Sequence, residues 1–206
     1  HRRFSTIRVT FRKWYDWEGV ERAYGRWTAR QTSGSVNVVH ATRQARGRQA
    51  APRPRFVEEV TRLWAHKPSR WRIEDDLPHG EGVLVKVLDG DRWWLYDPRR
   101  GVVETNANLP QPQAVATGMD MALQHALDPV EVIPTLWMEP GGQVVQAGRQ
   151  AVLVRALPRE EARALLWPGA DSYELRVDAQ YGVLLRQAAS LEGQEYAFIE
   201  VTDVAF

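Results

Sequence analysis

The chain has 206 residues and a mass of 23.5 kDa, which suits one domain of generous size or two small ones. Hydrophobic residues make up 44% and charged residues 26%, so disordered and membrane-spanning classes are disfavoured, and no apolar run approaches the roughly 20 residues that cross a bilayer. The absence of cysteine excludes a disulfide framework, a thiolate metal site and a cysteine nucleophile. Two imbalances remain. Nine tryptophans must be buried or stacked on something. Residues 1–55 hold 13 Arg and Lys against 3 Asp and Glu, a net of +10, whereas residues 56–206 carry a net of −9. A basic quarter of this kind faces nucleic acid, anionic lipid or the acidic remainder of its own chain, and the last is the simplest reading.

The chain opens at His1 without an initiator Met and shows no signal peptide, so it reads as a fragment or a processed form. Ile7, Val9 and Phe11 alternate with Arg8, Thr10 and Arg12, the period-two pattern of a strand with one wet face, extended by Trp14 and Tyr15. Residues 29–55 lose periodicity and predict a long flexible basic loop, with a short strand at Val36–Val39. Strands are predicted at Phe56–Ala65, Arg70–Glu74, Val83–Leu88, Arg92–Tyr96 and Val102–Thr105. Asp75–Gly82, Asp89-Gly90-Asp91 and Asp97–Gly101 read as turns between them. Thr117–Leu127 has helical spacing, and Asp128-Pro129 starts a second short helix carrying Val130, Val132 and Ile133. Strands return at Leu136–Glu139, Gln143–Ala147, Ala151–Leu157, Ser172–Asp178, Val183–Ala189 and Tyr196–Phe206, with Pro140-Gly141-Gly142 as a turn and a short helix at Pro158–Leu166. The sum is a mainly β (α+β) chain of nine to eleven strands. It predicts a strongly curved, unclosed antiparallel half-barrel whose concave face is covered by two or three short helices.

No pattern of catalysis stands out. His1, His40, His66, His79 and His125 form no pair with metal-ligand spacing, and no metal or cofactor is expected. No G-x-S-x-G, P-loop or dinucleotide fingerprint occurs. The carboxylates Glu74-Asp75-Asp76 and Asp89/Asp91 fall in or beside predicted turns, where Asp bonds its own backbone. Arg43, Arg46, Arg48, Arg53 and Arg55 offer phosphate contacts, and Trp14, Trp17, Tyr24 and Trp27 offer stacking. These aromatics precede the arginine run rather than mixing with it, so a solvated loop is favoured over a nucleic-acid site.

Three stretches resemble one family. The first is Leu63–Glu74 followed by Asp89–Pro98. The second is Ala147-Gly148-Arg149-Gln150-Ala151. The third is Tyr173–Arg186 with Glu200–Phe206 after it. They look like the turn-and-strand signatures of proteins similar to the outer-membrane lipoprotein carriers LolA and LolB, a group that includes actinobacterial lipid carriers and sigma-factor-regulator sensor domains. The resemblance covers about residues 56–206, with the opening strand consistent with it. It implies one domain over residues 1–206, an apolar cavity, and a place in the cell envelope outside the cytoplasm. The chain departs from the group in lacking a helix before the first strand and in the length of its basic loop.

The expected function is therefore non-enzymatic binding of a lipid, a lipoprotein acyl chain or another apolar ligand between the curved sheet and the helices. Strand alternation nominates Ile7, Val9, Phe11, Trp71, Ile73, Trp93 and Leu95 for one face of the cavity, with Met119, Leu123, Val132 and Ile133 opposite them. The expected partners are a lipid or an acylated protein, or a membrane-anchored protein, with no nucleic acid and a monomeric state. The alternative is a protein-interaction or envelope-stress sensor module on the same fold. Nucleic-acid binding through residues 29–55 ranks below both, and a hydrolase ranks last.

Overall fold

The alternation at the N-terminus builds the centre of the molecule. In a computed structural model, which describes residues 4–32, 54–77, 80–90, 92–105, 121–159 and 167–206, β1 (Thr6–Asp16) buries Ile7, Val9 and Phe11 on one face. It then turns into α1 (Trp17–Thr32), whose first turn is capped by Asp16 Oδ1 accepting from the Glu18 amide at 3.2 Å. A meander follows through β2 (Phe56–His66), β3 (Arg70–Asp76), β4 (Val83–Asp89), β5 (Arg92–Asp97) and β6 (Val102–Thr105). The chain next passes through α2 (Met121–Leu127) and two 3-10 turns, Pro129–Glu131 and Ile133–Thr135. A second meander returns through β7 (Leu136–Gln146), β8 (Arg149–Pro158), β9 (Ser172–Asp178), β10 (Leu184–Leu191) and β11 (Gln194–Ala205).

All eleven strands belong to one antiparallel sheet of order β6-β5-β4-β3-β2-β1-β11-β10-β9-β8-β7. The only neighbours that are not consecutive in sequence are β1 and β11, so the first and last strands join two meanders at the middle of the sheet. Among the described residues β6 and β7 are its edges, and the sheet does not close. The curved antiparallel sheet with helices is the architecture the strand pattern predicts. The β1–β11 junction also explains the charge imbalance. Arg12 bonds Glu200 at 2.8 Å through Nε and lies near Glu58, Arg8 faces Asp203, and Arg26 on α1 meets Asp171 and Glu192. The basic quarter is thus neutralised in part by acids of later strands, although such exposed pairs stabilise by less than about 1 kcal/mol each.

Five local readings are corrected. Residues 29–32 lie in α1, not in a loop. This helix went unforeseen because Gly19 and Gly25 lower its propensity, although Val20, Ala23, Tyr24 and Trp27 have the i, i+3, i+4, i+7 spacing of a packed face. Gly19 is needed there, since a Cβ would lie 2.4 Å from Tyr196 Cβ. Asp75 and Asp76 continue β3 and do not begin a turn. Pro140-Gly141-Gly142 is a bulge within the single strand β7, with Gly142 at φ 115°. Asp128 precedes a 3-10 turn rather than an α-helix, and its side chain makes no capping bond. Pro158 ends β8. The expected strand at Val36–Val39, residues 117–120 of the expected helix and residues 160–166 of the helix expected after Pro158 lie outside the described residues.

Candidate ligand site

Strand register sorts the concave face into rows. The first runs Ile7, Ala65, Trp71, Leu88 and Trp93 across β1–β5. The second runs Val9, Leu63, Ile73, Lys86 and Leu95, and the third Phe11, Thr61, Asp75 and Leu84. The burial of Ile7, Val9, Phe11, Thr61, Leu63 and Ile73 marks these rows as the inner side. α2 packs on β10, where Leu123 and Ala126 are buried with the later Val132. Over β3–β5, Trp71, Leu88, Trp93 and Leu95 are only half-buried.

At the end of the sheet where β1 begins and β11 finishes, the first row forms an apolar groove of about 690 Å³. Ile7, Ala65, Trp71, Leu88 and Phe206 line it together with Trp64, Val87 and Ala205 of the adjacent row of opposite parity, and Arg8, His66, Arg70 and Asp89 stand at its rim. Arg70 Nε lies 2.7 Å from Asp89. That volume falls within the range of sites that enclose small ligands, about 300–1,000 Å³. A smaller pocket of about 260 Å³ adjoins α2 and the first 3-10 turn, lined by Phe4, Lys67, Leu127, Pro129, Ile133 and Tyr181 among others. Between the two stands an aromatic cluster. Phe206 stacks on Tyr181 at 3.9 Å, and Phe4 meets both rings edge-on at 5.1 and 6.0 Å.

The cluster is held from behind by an ion pair. Arg149, the first residue of β8, lies over the rings of Tyr181 and Phe206 and donates two bonds to Asp178 at the end of β9. Asp178 Oδ1 also accepts from the amides of Gln180 and Tyr181, at 2.9 and 2.7 Å, closing the turn into β10. Burial alone would raise the Asp178 carboxyl, but these hydrogen bonds, led by the one from Arg149, hold it below the usual carboxylate range. Two of the sequence motifs, the Ala-Gly-Arg turn and the Val-Asp-x-x-x-Gly hairpin, are therefore one contact that positions the groove's aromatic wall.

The residues nominated from sequence divide into three groups. Ile7 and Trp71 line the groove. Val9, Phe11, Ile73, Trp93 and Leu95 share its face outside the groove lining, the first three in the closed core. Leu123 and Val132 are buried, whereas Ile133 is 43% exposed beside the smaller pocket. Met119 lies outside the described residues. Sequence reasoning missed Ala65, Leu88 and Phe206 as lining, and Phe4 and Tyr181 as wall. Ala65 and Leu88 were legible, because each has the parity of a neighbouring nominated row. The aromatic cluster was not, since it gathers both ends of the chain around a distant hairpin.

Of the basic segment, Arg43, Arg46, Arg48 and Arg53 lie outside the described residues. Arg55 meets Asp16 at 3.3 Å and Glu18 at 3.4 Å. Trp14 stacks between Phe56 and Phe198 on the convex face. Among the described residues no group of three His, Asp or Glu is placed to hold a metal ion, and no helix is long and apolar enough to cross a membrane.

An unclosed antiparallel sheet with helices packed against it defines the class, and it is the fold that the resemblance to LolA and LolB implies. Among solved structures it is similar to MucB, with a TM-score of 0.51 at 16% identity over 98% of this chain and 54% of that one. It is similar also to the Pseudomonas aeruginosa MucA/MucB complex, with a TM-score of 0.50 at 14% identity over 97% of this chain and 51% of that one. The chain thus spans about half the length of the MucB chains it matches. The Mycobacterium tuberculosis lipoprotein LppX aligns over 96% of this chain and 84% of that one, at 9% identity and a TM-score of 0.47. No family model and no curated protein matches the sequence.

Proposed function

We propose that this protein binds an apolar ligand, a lipid or the acyl chain of a lipoprotein, without chemical change, in the groove over Ile7, Ala65, Trp71 and Leu88. The observation that carries the reading is the groove itself. A row of apolar side chains with the parity of the core is left half-buried at one end of the sheet and is walled by Phe206, which is stacked on Tyr181 and met edge-on by Phe4. Each methylene moved from water into such a site contributes about 0.8 kcal/mol before ordering costs. A chain of ten or more carbons therefore supplies enough driving force for capture. Residues 1–206 act as one domain in this proposal, supported by the single sheet that joins first and last strands, and the cell envelope is its place of action.

The MucA/MucB likeness favours a second reading, a module that binds a protein partner on the same fold. Native mass spectrometry of the purified protein, with organic extraction of co-purifying molecules, separates the two. A bound lipid or fatty acid supports the first. A clean apo mass together with no uptake of a fluorescent acyl probe sinks it and leaves the protein-partner reading.

A further inference from the structure

The concave face carries charge where a purely apolar ligand would need none. Lys86 Nζ on β4 donates to Asp75 Oδ2 on β3 at 2.9 Å, and Thr61 Oγ1 on β2 donates to Asp75 Oδ1 at 2.7 Å. The Lys86 and Asp75 side chains are only 17% and 24% exposed. Lys13 on β1 is 5% exposed and adds a second positive charge near the same carboxylate, with Glu59 opposite it on β2.

The choice of face is informative. β4 reads Val-Leu-Val-Lys-Val-Leu-Asp. A strand with one wet face would turn its lone lysine to water. Instead Lys86 is in register with Ile73 and Leu95 on the concave side, and Val83, Val85 and Val87 point the other way. Drawing an ammonium and a carboxylate partly out of water costs free energy that apolar residues of similar size would not. Lys86 also stands one row from the groove, two residues from the lining Leu88 and so about 7 Å along the strand.

We propose that the ligand is an amphiphile with an anionic head: its chain lies in the groove over Trp71 and Leu88, and its head is received by the Lys86 ammonium, with Lys13 and Thr61 beside it. The inference rests on the binding reading above and names its ligand class. The bond to Asp75 holds the Lys86 ammonium in place until the head arrives. A charge-assisted bond of this kind distinguishes an anionic head from a neutral one of equal chain length by about tenfold or more.

The test uses the whole chain after delipidation, loaded with the neutral fluorophore N-phenyl-1-naphthylamine, and compares its displacement by dodecanoate and by 1-dodecanol at pH 8. Wild type is expected to bind dodecanoate at least tenfold more tightly than the alcohol. Lys86→Met is expected to erase that preference, and Lys86→Arg to retain it. Equal displacement by both ligands in wild type overturns the inference while leaving the groove reading intact, as does a preference that survives in Lys86→Met. If neither ligand displaces the probe, the groove reading fails and takes the inference with it. The wild-type comparison needs no substitution and decides the matter even where a variant fails to fold.

Discussion

Removal of the Asp178 carboxylate is the sharpest perturbation of the framework behind the groove. Its side chain has no exposed surface, whereas that of Arg149 is 24% exposed. In Asp178→Ala the guanidinium loses its counter-ion, and the amides of Gln180 and Tyr181 lose their acceptor. Breaking a buried pair from one side costs about 3–5 kcal/mol. Arg149 can recover part of its hydration, because it already reaches water, so the lower end applies: about 3 kcal/mol, including the two orphaned amides. Asp178→Asn keeps an oxygen for those amides and loses the charge, and about half that loss is expected.

Urea unfolding at pH 7 measures both variants, and the same titrations with an acyl probe report the groove. Affinity is expected to fall in Asp178→Ala, since Arg149 lies over Tyr181 and Phe206. The folded carboxyl sits below its ordinary value. Its contribution is therefore fully present above the unfolded pKa of about 3.9 and is lost as pH falls through the folded one. The stability gap between wild type and Asp178→Asn should accordingly close below about pH 4. A loss under about 1 kcal/mol in Asp178→Ala at pH 7 would refute the claim that this ion pair holds the junction.

Three further outcomes are expected. Gly169 has φ +84°, and a Cβ there would lie 1.8 Å from the Ala23 carbonyl oxygen; Gly169→Ala should destabilise the fold by about 3 kcal/mol by denaturant titration, and an unchanged midpoint would deny the docking of α1 on this segment. Burial raises the Tyr173 hydroxyl to about 12 and the Tyr196 hydroxyl further, against an ordinary value near 10. Their contribution is present below about pH 10 and lost as pH climbs through the folded values, so absorbance at 295 nm should show two late tyrosines that ionise on unfolding. Ala65→Trp places an indole on the groove floor between Ile7 and Trp71 and should weaken acyl-probe uptake at least about tenfold with the circular dichroism unchanged; undiminished uptake would place the ligand elsewhere.

Period-two alternation and turn residues made most of the strands legible. Ile7, Val9 and Phe11 carried β1, the Asp89-Gly90 turn separated β4 from β5, and Glu192-Gly193 separated β10 from β11. These signals are local: a strand's wet and dry faces and a turn's backbone demands are written within a few residues. The nominated rows on β1, β3 and β5 followed from the same parity. Charge misleads at Lys13 and Lys86: it argues for the wet face, whereas parity with Ile7, Val9 and Phe11 turns Lys13 inward and register with Ile73 turns Lys86 inward. Only the pairing of β1 with β2, β2 with β3 and β3 with β4 reveals that Thr61, Asp75 and the two lysines meet on the concave side.

The length and composition of the sequence, with its strand pattern and turn chemistry, determined a mainly β chain that curves around short helices. The tertiary structure alone decided where that sheet begins and ends. The β1–β11 pairing spans nearly the whole chain, and no local propensity encodes a contact at that separation. The same holds for the groove. Phe4, Tyr181 and Phe206 are ordinary aromatics in sequence and become a wall only when the sheet brings both termini to one hairpin, where Asp178 and Arg149 fix the rings. A binding surface of this kind is a property of long-range register, which depends on packing across the whole sheet rather than on any segment of it.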